Sequence, residues 1–368
     1  MPHPLLLAPP EKILIYRIGS LGDTVVALPS LHLIARVFPG AERAMLTNFP
    51  VHAKAPAAAA VLGDSGLVHG YMRYSIGTRN PAELAGLARE IRRFRPDLLV
   101  YLMPARPLRN VRRDHAFFRW ACGVRHFAGL PGAVERERPF DPGSGLYEAE
   151  AVRLARSLVP LGDARPQELA SWDLRLSAAE TAVAAQALAP LKGRPLIACA
   201  PGCKMQANDW GPENWRSLLG RLGAKHPSCG LVLCGAREDA TACAFASQDW
   251  PGPQLNLAGK LSPRESAAIF GRARVFLGPD SGPKHLAAAM GTPCVCVFSA
   301  RGLPGVWFPP GDGHTILYHQ PECRGCGLET CIARDKQCIR AVQVEEMEAA
   351  VERVLGRETD SAQLPSTI

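Results

Sequence analysis

The stretch RVFLGPDSGPKHLAAAMGTPCVCVF, residues 274–298, carries the local pattern that best indicates the fold. Its two apolar runs, 274–278 and 293–298, have the length and composition of buried strands. The segment between them predicts a helix that Asp280 or Ser281 caps and that ends near Gly291. A strand, a helix and a second strand in this order are typical of a parallel sheet covered by helices.

The same alternation runs along most of the chain. Further strands are predicted at 12–17, 43–48, 97–103, 195–200 and 230–235, and helices at 24–38 and 81–94. The pattern loosens around residues 162–176, where a second series of elements begins. We therefore predict an α/β protein with two doubly wound domains, residues 1–175 and 176–355, followed by a disordered tail at 356–368.

Composition limits the class of protein. The 368 residues are 47% hydrophobic and 21% charged, which favours folded domains over a disordered chain. The formal net charge of +8 favours an anionic partner, although many arginines on an ordinary surface would explain it equally. No apolar run approaches the ~18 residues of a membrane span, and the first residues lack a signal-peptide pattern, so we expect a cytoplasmic protein.

The first loop with chemical potential is RIGSLGDTVVALPSL, residues 17–31. Gly19 and Gly22 allow a sharp turn between strand and helix, and Asp23 or Thr24 can cap the first helical turn. The loop matches neither the dinucleotide-binding glycine pattern nor the P-loop. Considered alone, Asp23 is best interpreted as a helix cap.

The second loop is the beginning of the helix after residue 278. Unpaired amides of the first turn, the helix dipole, Gly282, Lys284 and His285 converge there, and Pro283 is tolerated in a first turn. This concentration of donors and cations predicts a phosphate site more readily than an ordinary capped helix does.

Together the two loops resemble the signatures of the lipopolysaccharide heptosyltransferase family, glycosyltransferase family 9. The resemblance continues in the same order through residues 200–215, 233–239, 256–269 and 303–311. It implies a GT-B architecture, with an amino-terminal acceptor domain and a carboxy-terminal nucleotide-sugar domain, both Rossmann-like, facing each other across a cleft.

The resemblance also implies a reaction. Family members transfer a heptose from an ADP-activated donor to a lipopolysaccharide core, with inversion and without a metal ion or other required cofactor. In this chain it implies that Asp23 is the catalytic base, and that the donor is bound by Lys204, Asp280, Ser281, Gly282, Pro283, Lys284 and His285. We expect the acceptor, an anionic lipid-linked saccharide, to be bound by Gly19, Gly22, Arg106, Arg109, Arg112 and Arg113.

Such an acceptor favours peripheral contact with the inner face of the inner membrane. No nucleic-acid partner is expected, because no nucleic-acid-binding module is present. The chain departs from the family at Asn208, where many members have a lysine thought to face the donor phosphates. Lys204, four residues earlier, is the candidate to supply that charge.

Twelve cysteines are present, mostly scattered in apolar runs. The exception is CRGCGLETCIARDKQC, in which Cys323, Cys326, Cys331 and Cys338 have a spacing that permits a structural zinc or iron site. A reduced cluster of core thiols is the alternative interpretation.

Two other classes of function stay open at this point. One keeps the fold and changes the chemistry: an epimerase or hydrolase of nucleotide sugars, or a transferase for another sugar or acceptor. The other is a polyanion-binding protein without catalytic activity, which the net charge would favour.

Overall fold

The computed structural model describes residues 8–48, 57–132 and 137–356. Two parallel sheets organise these residues. The first has the order β3-β2-β1-β4-β5 and the second the order β10-β9-β8-β11-β12-β13. A short antiparallel pair, β6-β7, accompanies them. The strands are β1 Lys12–Tyr16, β2 Glu42–Asn48, β3 Gly70–Tyr74, β4 Leu98–Tyr101, β5 His126–Ala128, β6 Phe140–Asp141, β7 Leu146–Tyr147, β8 Leu196–Cys199, β9 Gly230–Leu233, β10 Gln254–Asn256, β11 Val275–Pro279, β12 Cys294–Phe298 and β13 Thr315–Tyr318.

Helices connect the strands and cover the sheets. They are α1 Leu21–Val25, α2 Leu28–Val37, α3 Ala58–Leu62, α4 Pro81–Phe94, α5 Leu108–Ala116, α6 Glu150–Ser157, α7 Ala178–Ala187, α8 Pro212–Lys225, α9 Ala240–Ala246, α10 Pro263–Phe270, α11 Gly282–Ala289, α12 Gln337–Arg340 and α13 Val344–Leu355. A π-helical segment, Phe117–Ala121, continues α5.

The strands predicted from apolar runs are confirmed. Each of the seven predicted runs overlaps one observed strand, from β1 to β12, with bounds that agree to within three residues. The helix predicted at 24–38 is wrong in its bounds, because the chain forms α1 and α2 with a break between them. Pro29 lies in the first turn of α2, where its missing N–H removes no helical hydrogen bond, so a new helix begins there.

Two of the buried clusters cover the opposite faces of the first sheet. One contains Leu14 and Tyr16 of β1 with Leu87 and Ile91 of α4. The other contains Ile13 and Ile15 with residues of α2, and extends through α10 and α11 to the second sheet. A third cluster lies under α8 and α13 on the far side of the second sheet. The predicted boundary near residue 175 falls between the strands of the two sheets and stays a prediction; the tail predicted at 356–368 lies outside the described residues, apart from Gly356.

The two sheets are linked by close contacts between helices. A Cβ added to Gly282 at the start of α11 would lie 3.0 Å from Leu21 Cδ2 of α1. Further along, Arg264 of α10 donates hydrogen bonds to the carbonyls of Val61 (3.1 Å) and Leu62 (3.0 Å) at the end of α3. The carboxyl ends of β1, β8 and β11 therefore lead into loops that face a common space.

Candidate active site

A cavity of about 400 Å³ lies in this space, between the loop after β1 and the loops that follow β8, β9 and β11. Its lining includes residues from both halves of the chain. They are Ser20, Leu21, Ala200, Gly202, Cys203, Lys204, Cys234, Gly235, Ala236, Arg237, Asp239, Gly259, Leu261, Pro263, Ser266, Phe270, Ser281, Gly282, Pro283 and Leu286. The lining combines apolar side chains with hydroxyls, backbone amides and cations, so the cavity suits a ligand with a flat apolar group and an anionic group.

The start of α11 supplies part of the polar lining of the cavity. Ser281 is the N-cap residue, but its hydroxyl makes no cap hydrogen bond and is buried without a partner. A buried hydroxyl without a partner costs free energy unless a ligand satisfies it. Because Ser281, Gly282 and Pro283 all line the cavity at a helix N-terminus, this part of the lining is suited to bind an anion.

Lys284 does not line this cavity, and its expected contact with the donor stays a prediction. Its side chain is fully buried, and its Nζ lies 2.7 Å from Asp280 Oδ1 and 2.6 Å from the Trp307 carbonyl oxygen. The Nζ also lies 4.3 Å from the centroid of the Phe298 ring. The charge of Lys284 is compensated by Asp280 inside the protein, which favours a structural role.

Asp280 does not line the cavity either. Besides pairing with Lys284, it accepts a hydrogen bond at its backbone oxygen from Asn208 Nδ2 at 2.9 Å. Asn208 is itself buried, and its Oδ1 accepts a 2.5 Å hydrogen bond from Ser299. Asn208 therefore holds the turn before Ser281 in place, a role that its position in the sequence did not reveal.

Lys204 is an exposed cation in the lining of the cavity. It lines the cavity and makes no hydrogen bond or ion pair with any described residue. Arg237, which the sequence analysis missed, is a second exposed cation in the lining. Gly259 has a φ of +74°, and a Cβ there would lie 2.6 Å from the Arg237 Cα, so this glycine lets the two loops meet.

Asp23 lies at the first-domain side of the cavity. Its Oδ2 accepts hydrogen bonds from the backbone N–H of Ser20 (2.8 Å) and from the Ser20 hydroxyl (3.1 Å), and Ser20 lines the cavity. Buried Arg17 donates from Nε (3.0 Å) and Nη2 (2.7 Å) to the Asp23 backbone oxygen. The carboxylate thus caps α1 and is held at the edge of the cavity by the same contacts.

Gly19 and Gly22 lie against other groups of the protein, and their expected approach to an acceptor stays a prediction. Gly19 has a φ of +141°, and a Cβ there would lie 2.3 Å from Asp23 Cγ. A Cβ on Gly22 would lie 2.9 Å from Cδ2 of buried His285. His285 does not line the cavity, and burial together with Lys284 lowers its pKa well below the ordinary value. It is therefore a neutral contact between the two domains.

Sequence reasoning also missed a buried ionic network behind Asp23. Glu150 accepts hydrogen bonds from Arg153 Nε at 2.8 Å and Arg138 Nη2 at 2.7 Å, and its Oε1 lies 3.6 Å from Arg17 Nη1. Burial by itself would raise the pKa of Glu150, but these arginines lower it to about 2. Glu150 and Arg153 are an i,i+3 pair on α6, but no local pattern signals the whole network, because Arg17 comes from the distant loop after β1.

None of the four arginines expected to bind the acceptor lines the cavity, and the four differ in whether they form ion pairs. Arg106 and Arg113 pair with buried Asp114, at 2.7 Å and 2.9 Å. Arg109 and Arg112 are exposed on α5 and have no hydrogen-bond or ion-pair partner within the described ranges. Arg109 and Arg112 are therefore the two of this set that have no ion pair in the described structure.

The cysteine segment does not form a ligand cluster. Cys326 is exposed, while Cys323, Cys331 and Cys338 are half-buried, so they are not core thiols. Among the described residues, no group of three or more histidine, cysteine or acidic side chains could hold a metal ion. The cysteines in apolar strands, such as Cys199, are buried as expected.

Comparison with known proteins identifies the family. The sequence model of glycosyltransferase family 9 (heptosyltransferase) matches residues 148–336, just over half of the chain. The chain belongs to glycosyltransferase family 9. A relative, lipopolysaccharide heptosyltransferase 3 of Escherichia coli, is 24% identical over 174 residues, which cover 47% of this chain and 50% of that protein. The match thus spans about half the length of this curated relative.

Solved structures of family 9 show the fold. A family 9 glycosyl transferase from Veillonella parvula has a TM-score of 0.70 and 15% identity, over 94% of this chain and 97% of that one. E. coli ADP-heptose lps heptosyltransferase II has a TM-score of 0.65 and 18% identity, over 94% and 98% of the two chains. The predicted GT-B architecture of two Rossmann-like domains is confirmed. In the part of the chain that is described, no helix is both long and apolar enough to cross a bilayer.

Proposed function

We propose that this family 9 protein is an inverting, metal-independent glycosyltransferase that moves a heptose or related sugar from an ADP-activated donor to a lipopolysaccharide core. The observation that carries the proposal is a cavity lined by Ser281 and by the exposed cation Lys204, whose side-chain polar groups have no partner among the described residues. Family membership supports the reaction class, and the name of the E. coli relative supports the sugar.

The donor would occupy the cavity with its diphosphate at the start of α11. The Ser281 hydroxyl, the free amides of the first turn and Lys204 would share its negative charge. These groups can stabilise the nucleoside diphosphate as it leaves, which is the task that a metal ion performs in other transferases. The apolar side chains of Leu261, Phe270 and Leu286 in the lining would accommodate the adenine ring.

Asp23 would act as the general base. In a single displacement, the acceptor hydroxyl forms a bond to the anomeric carbon while the bond from that carbon to the diphosphate breaks, which inverts the centre. The hydroxyl proton passes to the base on the opposite face from the diphosphate. Asp23 comes from the first domain and the diphosphate site from the second, so the base and the leaving group would be held by different domains.

The acceptor would be an anionic lipid-linked saccharide. Arg109 and Arg112 are exposed cations without partners in the described structure and are the candidates to meet its charges. A lipid-linked acceptor also requires peripheral contact with the inner face of the inner membrane. Rival transfers to another sugar or acceptor would use the same two sites.

Donor titration and a transfer assay test the proposal. We expect ADP to bind more tightly than UDP, Ser281→Ala to weaken ADP binding about tenfold, and sugar transfer to a lipopolysaccharide core to continue in EDTA. Ser30→Ala is a matched control, because Ser30 also has a buried hydroxyl without a partner but lies outside the cavity. Release of nucleotide that does not depend on an acceptor would contradict transfer and favour a hydrolase. Equal losses in both serine variants would contradict the donor site.

A further inference from the structure

The outer surface of α4 and α5 forms a basic face that the cavity does not use. Leu87 and Ile91 of α4, with Phe118 and Cys122 from the end of the α5 segment, pack into one cluster against the first sheet. The opposite sides of the same helices face away from the sheet. The basic face consists of the exposed arginines on and beside these helices: Arg89, Arg92, Arg93, Arg95, Arg109, Arg112, Arg113 and Arg125.

The positive charge of this face is largely uncompensated. Asp114 is the one acid in residues 104–127, and it is buried. The side chains of Arg109, Arg112 and Arg125 make no ion pair or hydrogen bond with the residues described, although the Arg125 backbone oxygen accepts a hydrogen bond from Arg119 Nη1 at 3.0 Å. Three exposed acids lie on or beside α4: Glu83, Glu90 and Asp97. Glu83 and Asp97 accept hydrogen bonds only from neutral hydroxyl and backbone N–H groups, so all three acids keep their charge, but the eight exposed arginines outnumber them. The face is therefore complementary to a negatively charged surface.

A tryptophan projects from the same face. Trp120, in the π-helical segment that follows α5, has 77% of its surface exposed. Four of the other five tryptophans are buried and Trp307 is half-buried. The Arg119 guanidinium lies 5.9 Å from the centroid of its ring. An exposed indole among arginines is unfavourable in water, whereas the boundary between lipid headgroups and acyl chains accommodates both groups.

We propose that the basic face rests on an anionic phospholipid surface, with Trp120 inserted at the level of the headgroups. The inference rests on the proposed function in one respect, because a lipid-linked acceptor needs the cleft near a membrane. α5 begins just after the loop at the carboxyl end of β4, and the helical segment from 108 to 121 is about 21 Å long. A protein docked by this face would hold the mouth of the cleft within about that distance of the lipid surface.

Vesicle binding by the full chain tests the proposal. We expect sedimentation with vesicles of phosphatidylcholine containing 30% phosphatidylglycerol, at about 0.1 M salt, and little with phosphatidylcholine alone. Replacing the exposed Arg92, Arg93 and Arg125 together with glutamine should weaken binding about hundredfold, at roughly fivefold for each arginine. The control replaces the exposed Lys192, Arg272 and Arg353 with glutamine, which removes the same charge from the second domain.

Trp120 provides a direct optical readout. Brominated lipids should quench the fluorescence of the wild-type protein, and Trp120→Phe should lose most of that quenching while still sedimenting. Any of three results would overturn the proposal. They are equal vesicle binding by the two charge variants, quenching that survives in Trp120→Phe, and binding to double-stranded RNA in preference to the vesicles. ADP titration of each variant separates a failure of membrane docking from a failure of the proposed function, because donor binding should be unchanged in all of the variants.

Discussion

Replacing Lys284 with methionine distinguishes a buried structural cation from one that binds the donor. Methionine retains much of the length of the apolar stem but removes the ammonium group. Asp280 then loses its 2.7 Å partner, and the Trp307 carbonyl oxygen loses its 2.6 Å donor. We expect the folded state to be destabilised because an acidic side chain inside the protein is left without compensation.

The magnitude follows from the burial of the pair. Removing one partner of a buried ion pair costs about 3–5 kcal/mol of unfolding free energy. The Lys284 side chain is fully buried, but a fifth of the Asp280 side chain is exposed, so water relieves part of the loss. We therefore expect the lower end, about 3 kcal/mol, and a fall in Tm of about 6–12 °C for a domain of this size. Adding Asp280→Asn should recover part of the loss.

The assay compares two lysines of the same protein. Lys204→Met should weaken ADP binding about tenfold in titration calorimetry and leave the Tm unchanged, since Lys204 is exposed in the cavity. Lys284→Met should lower the Tm and the urea midpoint. The reasoning is refuted if Lys284→Met has the wild-type Tm and loses ADP affinity, because Lys284 would then contact the donor directly.

Three other outcomes are expected. Asp23→Asn should lower kcat about 10²–10⁴-fold with ADP affinity unchanged, because an amide oxygen still caps α1 but cannot take a proton. Gly19→Ala should lower kcat through the displacement of Asp23, whereas Gly40→Ala, which meets no atom within 4 Å, should behave as wild type. Glu150→Gln should cost about 3 kcal/mol at pH 7, measured by urea unfolding. The pKa of Glu150 is lowered to about 2, so its contribution is present above about pH 4.5 and is lost as the pH falls toward 2; a pH-independent difference would contradict this.

The sequence by itself determined the elements and the general position of the site. Apolar runs such as those of β1 and β12 predict strands because four or five consecutive buried residues leave a local signature. The loops after β1 and β11 were identifiable because ligands of doubly wound sheets bind beyond the carboxyl ends of strands. β3, by contrast, was missed: its sequence GYMRY alternates weakly, and its pairing with β2 is a contact between distant residues.

Only the tertiary structure decided what the individual side chains do. Lys284 looked like a phosphate ligand because it follows Gly282 in a first helical turn, but Trp307 and Phe298, from later loops and strands, draw its ammonium group inward. Gly22 similarly has the sequence context of a flexible turn residue, but folding places His285 of the other domain directly against it. Local patterns predict backbone conformation because it depends on neighbouring residues, whereas the direction and charge balance of a side chain depend on groups that folding brings from elsewhere in the chain.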